Sequence, residues 1–170
     1  MGLKGRVMEL LRAGDEQALG ALVAAESRAT RHLLGRLWDP DEALRLRAAR
    51  GIGVAAAAHP EHGIDLTRRL MWALNDESAT NGLFGIAAIA EIGFRDPKLI
   101  APFVAPLASL AWDDGLRLEI LRALARISET APELVRPVVA EVGDHVDTED
   151  SAECDAFARL LEESGGLDES

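Results

Sequence analysis

The sequence contains no tyrosine, a single cysteine (Cys154) and aromatic side chains at only 4% of its 170 positions. One cysteine excludes an internal disulfide and any cysteine-based metal cluster within one chain, and it fits a reducing compartment such as the cytoplasm. Its place among acidic residues gives it little thiolate character. The scarcity of aromatics and the lack of period-two alternation argue against a sheet. No apolar run can span a bilayer: Arg45, Arg47 and Arg50 interrupt one candidate, and Asp65, Arg68 and Arg69 the next. No apolar stretch follows Met1–Arg6, as a secretory signal would require. A Gly-rich phosphate loop, a nucleophile elbow and a cysteine–histidine pairing supported by local context are also missing.

An excess of positive charge is lacking as well. The net charge is −11, unevenly spread. Residues 1–75 hold 11 Lys/Arg against 9 Asp/Glu, and residues 76–170 hold 7 against 20. Phosphate contacts need a basic face, so nucleic acid is not the expected general partner. The N-terminal half keeps room for a local basic patch.

What is present is repetition. Asp39, Asp76 and Asp113 stand 37 residues apart each time. Pro60 and Pro97 follow two of them by 21 residues, and Pro132 follows the third by 19. Two punctuation marks recurring in step signal an internal repeat, here of helix pairs. In the first unit Asp39 is the expected N-cap, with Pro40 at the first helical position, where its missing N–H costs nothing. Its first helix reaches about Ala58, with Leu44, Ala48, Ile52 and Ala55 inward. His59-Pro60 stops it. The second helix runs from about Glu61 to Leu74, with Ile64, Thr67, Leu70, Met71 and Leu74 inward.

The second unit starts at Asp76 or Ser78. Its first helix spans about 79–93 with Leu83, Ile86, Ile89 and Ala90 inward, and it is apolar on nearly every side. Such a helix must be covered on both sides, as in the middle of a stack. Its second helix covers about 97–111, with Pro102 tolerable and Pro106 expected to kink it. The third unit pairs a helix over about 115–129 (Leu116, Ile120, Leu124, Ile127 inward) with one over about 132–146 (Leu134, Val138, Val142 inward).

Residues 3–13 read as a short helix ended by Gly14. Asp15 caps the next segment, one helix to Leu37 or two broken near Ser27. A last helix opens at Thr148 or Asp150 and includes Phe157, Leu160 and Leu161. Its acidic residues Glu149, Asp150, Glu153, Asp155, Glu162 and Glu163 suit an outward cap. The expected organisation is one domain, 1–170: a divergent cap over 1–37, three repeats over 38–146, a capping helix over 147–164 and a frayed tail over 165–170.

Asp39-Pro40-Asp41 with Leu44, Arg47-Ala48-Ala49 and Gly51 resembles the first helix of a HEAT repeat, closest to the phycobilisome-lyase HEAT-like variety. The likeness weakens later, where Phe84-Gly85-Ile86 and Glu119-Ile120 replace the Arg-Ala pair. The resemblance implies an all-α fold, an alpha-alpha superhelix of the HEAT/armadillo-like solenoid kind. It also implies a non-enzymatic scaffold that binds another protein through its second-helix face, which usually lines the concave side, with no cofactor. The alternatives it raises are an alkylated-base DNA glycosylase type and a bilin lyase type.

The candidate partner-binding residues are Arg68, Arg69 and Trp72 on the second helix of the first unit, with Arg36 and Arg45, because Trp and Arg dominate binding hot spots. The plainer account of the arginines, Arg28, Arg31, Arg47 and Arg50 included, is a solvated helix face, with Arg47 bonded to inter-repeat carboxylates or loops. Trp38 and Trp112 are read as sealing inter-repeat turns. His59, Glu61 and His62 match no helical two-histidine metal motif and read as surface or capping groups.

Overall fold

A computed structural model describes residues 1–75 and 82–166. Among these residues the chain is helix and turn without a strand. No helix of the described residues is long and apolar enough to cross a membrane.

The order is α1 (Leu3–Ala13), α2 (Glu16–Ala25), α3 (Thr30–Leu34), α4 (Glu42–Ala58), α5 (Pro60–Leu74), α6 (Gly85–Arg95), α7 (Pro97–Ile100), α8 (Val104–Ala108), α9 (Asp114–Ser128), α10 (Pro132–Val135), α11 (Val139–Gly143) and α12 (Ser151–Ser164). One layer stacks α2, α4, α6, α9 and α12, each packed on the next. The second helices, α5, α7–α8 and α10–α11, lie against them as a second layer. α6 is sandwiched between α4 and α9, and Ile86, Ile89 and Ile92 are fully buried. That is the covered middle helix its all-round apolar sequence demands. Close stacking also relies on glycine: a Cβ on Gly53 of α4 would lie 2.6 Å from the Glu91 carbonyl of α6.

Several boundaries differ from the sequence expectation, each for a local reason. The cap of α4 is Asp41, whose carboxylate accepts the Ala43 N–H at 2.8 Å, not Asp39. Asp39 instead accepts the Asp41 N–H and pairs with Arg36, so Pro40 lies in a turn ahead of the helix. Asp113 caps α9 as expected. The true register therefore joins Asp41 to Asp113, 72 residues apart, the same interval as Pro60 to Pro132. The mean repeat is 36 residues, and the even 37-residue spacing of Asp39, Asp76 and Asp113 is not the helical register.

Helix α5 begins at Pro60 rather than Glu61. Ile64 stands 40% exposed, because the buried stripe runs through Gly63, Leu66, Thr67, Leu70 and Leu74. Leu44 and Leu134 are half-buried at the core margin. Asp76 and Ser78 lie outside the described residues. α6 starts only at Gly85, after a turn in which the Gly85 N–H donates to Gly82 O, so Leu83 packs on the core from the turn.

The second helices of units two and three are each interrupted by a 3-10 turn, Ala101–Phe103 and Arg136–Val138. Pro102 and Pro137 are the middle residues. Each sits past the first helical turn, so its missing N–H removes a bond the helix needs. Pro106, the expected kink, is only the third residue of α8, where no N–H is needed. The first unit has no proline there, and α5 runs unbroken.

At the N-terminal end the break near Ser27 is a 3-10 turn over Ser27–Ala29. Gly14 closes α1 with φ +70°, a left-handed cap. Arg47 reaches over it and donates to Leu11 O at 2.8 Å, tying α4 to the carbonyl end of α1. Asp150, not Thr148, caps α12. Glu153 is buried rather than part of the outward acidic face.

Candidate functional site

A groove of about 380 Å³ crosses the first-helix layer where α4, α6 and α9 meet. It exists because α6 contributes mainly short side chains, Ala87 and Ala90, between two longer-armed neighbours. Ala49 of α4 and Ala123 of α9 extend that floor. At one end Leu46, Leu83 and Phe84 offer larger apolar surface, and Leu46 is 45% exposed. Arg50 and Arg122 stand 72 residues apart, hence at equivalent positions of α4 and α9 on the two sides of Ala87.

The rim is charged and largely neutralised within the chain. Arg50 pairs with Glu16 of α2. Arg122 pairs with Glu119 at 2.7 Å. Arg126 donates to Glu91 at 3.0 Å and to Glu129 at 2.6 Å, and its guanidinium lies 3.4 Å from the Phe94 ring centroid. Partial burial alone would lower the Arg126 pKa, but bonding to Glu91 and the charges of Glu91 and Glu129 raise it above its ordinary value. Glu129 also accepts from Arg159 of α12 at 2.7 Å, so this network spans three first helices.

Arg45 differs. Its Nη1 donates to Asp39 O (2.8 Å) and Pro40 O (3.2 Å), and its guanidinium lies 4.8 Å from the Phe84 ring centroid. No carboxylate pairs with it among the described residues.

The same arginine recurs in the third unit. Arg117 stands four residues after Asp113 as Arg45 stands four after Asp41. Arg117 donates to Ala111 O (2.7 Å) and Trp112 O (3.2 Å), the carbonyls 72 residues beyond those that hold Arg45. Here a carboxylate completes the arrangement: Arg117 Nη1 lies 3.4 Å from Glu153 of α12, and both side chains are more than nine-tenths buried. Asp114 also pairs with Arg117. Burial pulls the Arg117 pKa down, but these carboxylates outweigh it and hold the guanidinium charged.

Of the five candidate partner-binding residues, Arg45 lines the groove and the other four do not. Arg36 is engaged by Asp39. Arg68, Arg69 and Trp72 lie on α5 in the other layer, where Arg68 pairs with Asp65 at 2.8 Å. Trp72 is 73% exposed. Trp38 and Trp112 are also exposed instead of sealing turns. The 72-residue register makes them non-equivalent. The His59 and His62 rings are 6.2 Å apart, and no three potential metal ligands cluster among the described residues. Sequence reasoning misses Leu46, Phe84, Ala87, Arg117 and Arg122 as site residues. The repeated Asp-to-Arg spacing of four is the signal that could have found Arg117.

No family model and no curated protein matches the chain. Two solved structures do. A crystal structure of an engineered protein aligns with TM-score 0.55 at 20% identity, covering 89% of this chain and 73% of that one. A designed armadillo repeat protein in complex with the peptide (KR)4 aligns with TM-score 0.53 at 21% identity, covering 93% and 80%. The fold is a HEAT/armadillo-like solenoid. The HEAT-like helix pairs read from Asp39-Pro40-Asp41, Arg47-Ala48-Ala49 and the proline turns are therefore an architecture shared with armadillo-type stacks. The phycobilisome-lyase variety stays an expectation of the sequence motif alone. Within the solenoid the groove opens on the first-helix layer, whereas the sequence motif points to the second helices.

Proposed function

We propose that this chain is a protein-binding scaffold that seats a segment of a partner in the groove across α4, α6 and α9. The groove itself carries the reading: a floor of small apolar side chains beneath a rim of internally balanced charge. Its volume falls within the roughly 300–1,000 Å³ of typical ligand sites, with apolar lining and a few fixed polar groups. The structurally similar designed armadillo repeat protein is itself a peptide complex, which favours this use of the fold. Because Arg50, Arg122 and Arg126 are neutralised by carboxylates of the chain, they do not form the uncompensated basic track a nucleic acid needs. That speaks for a scaffold over the base-excision alternative, and no feature of the groove favours a bilin lyase.

A second reading keeps the partner on α5. Ile64, Arg68 and Trp72 recur at steps of four on one exposed stripe, and large exposed aromatics beside arginine are typical binding hot spots. Cross-linked pull-down with the full chain separates the two. A partner captured by the wild type should be lost with Leu46→Glu and kept with Trp72→Ala. The reverse pattern would move the site to α5.

A further inference from the structure

A second depression, about 20 Å³ in volume, opens between α2 and α4. It lies on the side of α4 opposite Arg45, because Arg47 follows Arg45 by two residues and hence by about 200° of helical turn. Arg47 and Arg50 of α4 line it, together with Glu16 and Gly20 of α2 and with Arg95, the last residue of α6. Arg47 is anchored through Nη1 to Leu11 O (2.8 Å) and Arg12 O (3.4 Å). Arg50 pairs with Glu16, and the Arg95 guanidinium lies 5.8 Å from the Phe94 ring centroid. The carboxylate of Asp96, beside Arg95, is taken by the Lys98 N–H at 3.2 Å. Among the described residues neither Arg47 nor Arg95 has a carboxylate partner. Three arginines against one glutamate leave the lining with a formal charge of +2. The α2 wall is open: a Cβ on Gly20 would meet only Val54 Cγ1, at 3.7 Å.

We propose that Arg47, Arg50 and Arg95 form a binding site for a phosphate monoester, carried on a phosphorylated serine or threonine of a partner peptide. Charge selects the ligand class. A phosphomonoester carries about −1.5 to −2 at neutral pH with three strong acceptor oxygens, which matches a +2 lining of guanidinium forks. A carboxylate is a monoanion, and Glu16 already supplies one. A phosphodiester carries one charge per group, and a single small cluster is not the basic track a nucleic acid needs. Size selects the rest. The depression has about the room of one water molecule, so a phosphoryl head group seats at its mouth and the body of the ligand stays outside. Arg50 also lines the larger groove, which gives a phosphorylated segment apolar surface beside its anchor. The site does not rest on the groove reading, whose deciding variant, Leu46→Glu, is a different one.

The test titrates the full chain in about 0.15 M salt at about pH 7.5, where the monoester is a dianion. The probes are a degenerate short-peptide pool with a central phosphoserine, the same pool with serine, inorganic phosphate and a single-stranded oligothymidylate. The chain's net charge of −11 disfavours loose anion binding over its surface, so retention reports a local site. The phosphoserine pool should bind about tenfold or more tighter than each of the other probes. Arg95→Gln, at an exposed side chain that rests on its neighbour Phe94, should weaken it by about three- to tenfold without disturbing the stack. Glu16→Gln, which removes the competing carboxylate, should tighten it by about two- to fivefold. Arg28→Gln, at an exposed arginine outside the depression, should leave it unchanged.

Equal binding of the serine pool, or no binding of any probe, would overturn the site. Phosphoserine binding that ignores Arg95→Gln and Glu16→Gln, or that falls as much with Arg28→Gln as with Arg95→Gln, would overturn its placement on these three arginines. Inorganic phosphate bound as tightly as the phosphoserine pool would overturn the peptide as the source of the phosphoryl group. Preference for the oligothymidylate would overturn the monoester.

Discussion

Replacing Glu153 by Ala removes the carboxylate that α12 contributes to the buried pair with Arg117. Glu153 accepts from Arg117 Nη1 at 3.4–3.5 Å and from the Asp147 N–H at 2.9 Å. Both side chains are more than nine-tenths buried, so water replaces neither bond cheaply. Breaking one partner of a buried pair costs about 3–5 kcal/mol. Arg117 retains Ala111 O, Trp112 O and Asp114, which places the expected loss near the low end, about 3 kcal/mol. For a chain of this length that is a fall in Tm of about 6–12 °C, read by circular dichroism at neutral pH. The double variant Arg117→Met/Glu153→Leu should recover most of the loss, because an apolar pair of similar volume carries no desolvation cost. Exposed Glu162→Ala is the control and should stay within about 0.5 kcal/mol. A loss for Glu153→Ala no larger than the control's would refute the claim that this pair locks α12 onto the stack.

Ile89→Ala, at a fully buried position of the middle helix, should cost about 2–5 kcal/mol in urea unfolding. Gly53→Ala should cost about 1–3 kcal/mol, because its Cβ meets the Glu91 backbone rather than a side chain that can swing away. His32 has a pKa below the usual value of about 6.5, first because burial disfavours its charged form and then because Arg31 and Lys4 lie nearby. As pH falls through about 6.5 the unfolded chain takes up that proton before the folded one, so stability declines until the folded-state pKa is passed. His32→Gln should flatten that part of the pH profile in chemical melts, and an unchanged profile would count against it.

The helix pairs and their stacking are legible in the sequence because capping residues, proline turns and apolar periodicity agree. The exact register is not. Asp39 and Asp41 are both competent caps, and Pro40 fits a first helical position after one of them. Only the side-chain bonds of Asp39 to Arg36 and to the Asp41 N–H decide between them. The proline break is hard to place because Pro102 looks tolerable from sequence, whereas the first turn ends before it. Glu153 hides among outward acidic neighbours, since its partner lies 36 residues earlier in the chain. Arg47 is half legible: bonding to inter-repeat carboxylates or loops is expected, and it goes instead to the Leu11 carbonyl in the last turn of α1. The groove is illegible because it depends on which layer carries short side chains at the centre, a property of three helices together.

The central claim is that the first-helix groove is the binding surface. Amide chemical-shift mapping of the full chain titrated with synthetic short peptides rich in Leu, Ile and Phe tests it most directly. The account predicts shifts confined to Arg45, Leu46, Ala87, Ala90 and Ala123. Shifts gathered instead on Arg68, Arg69 and Trp72 would contradict it.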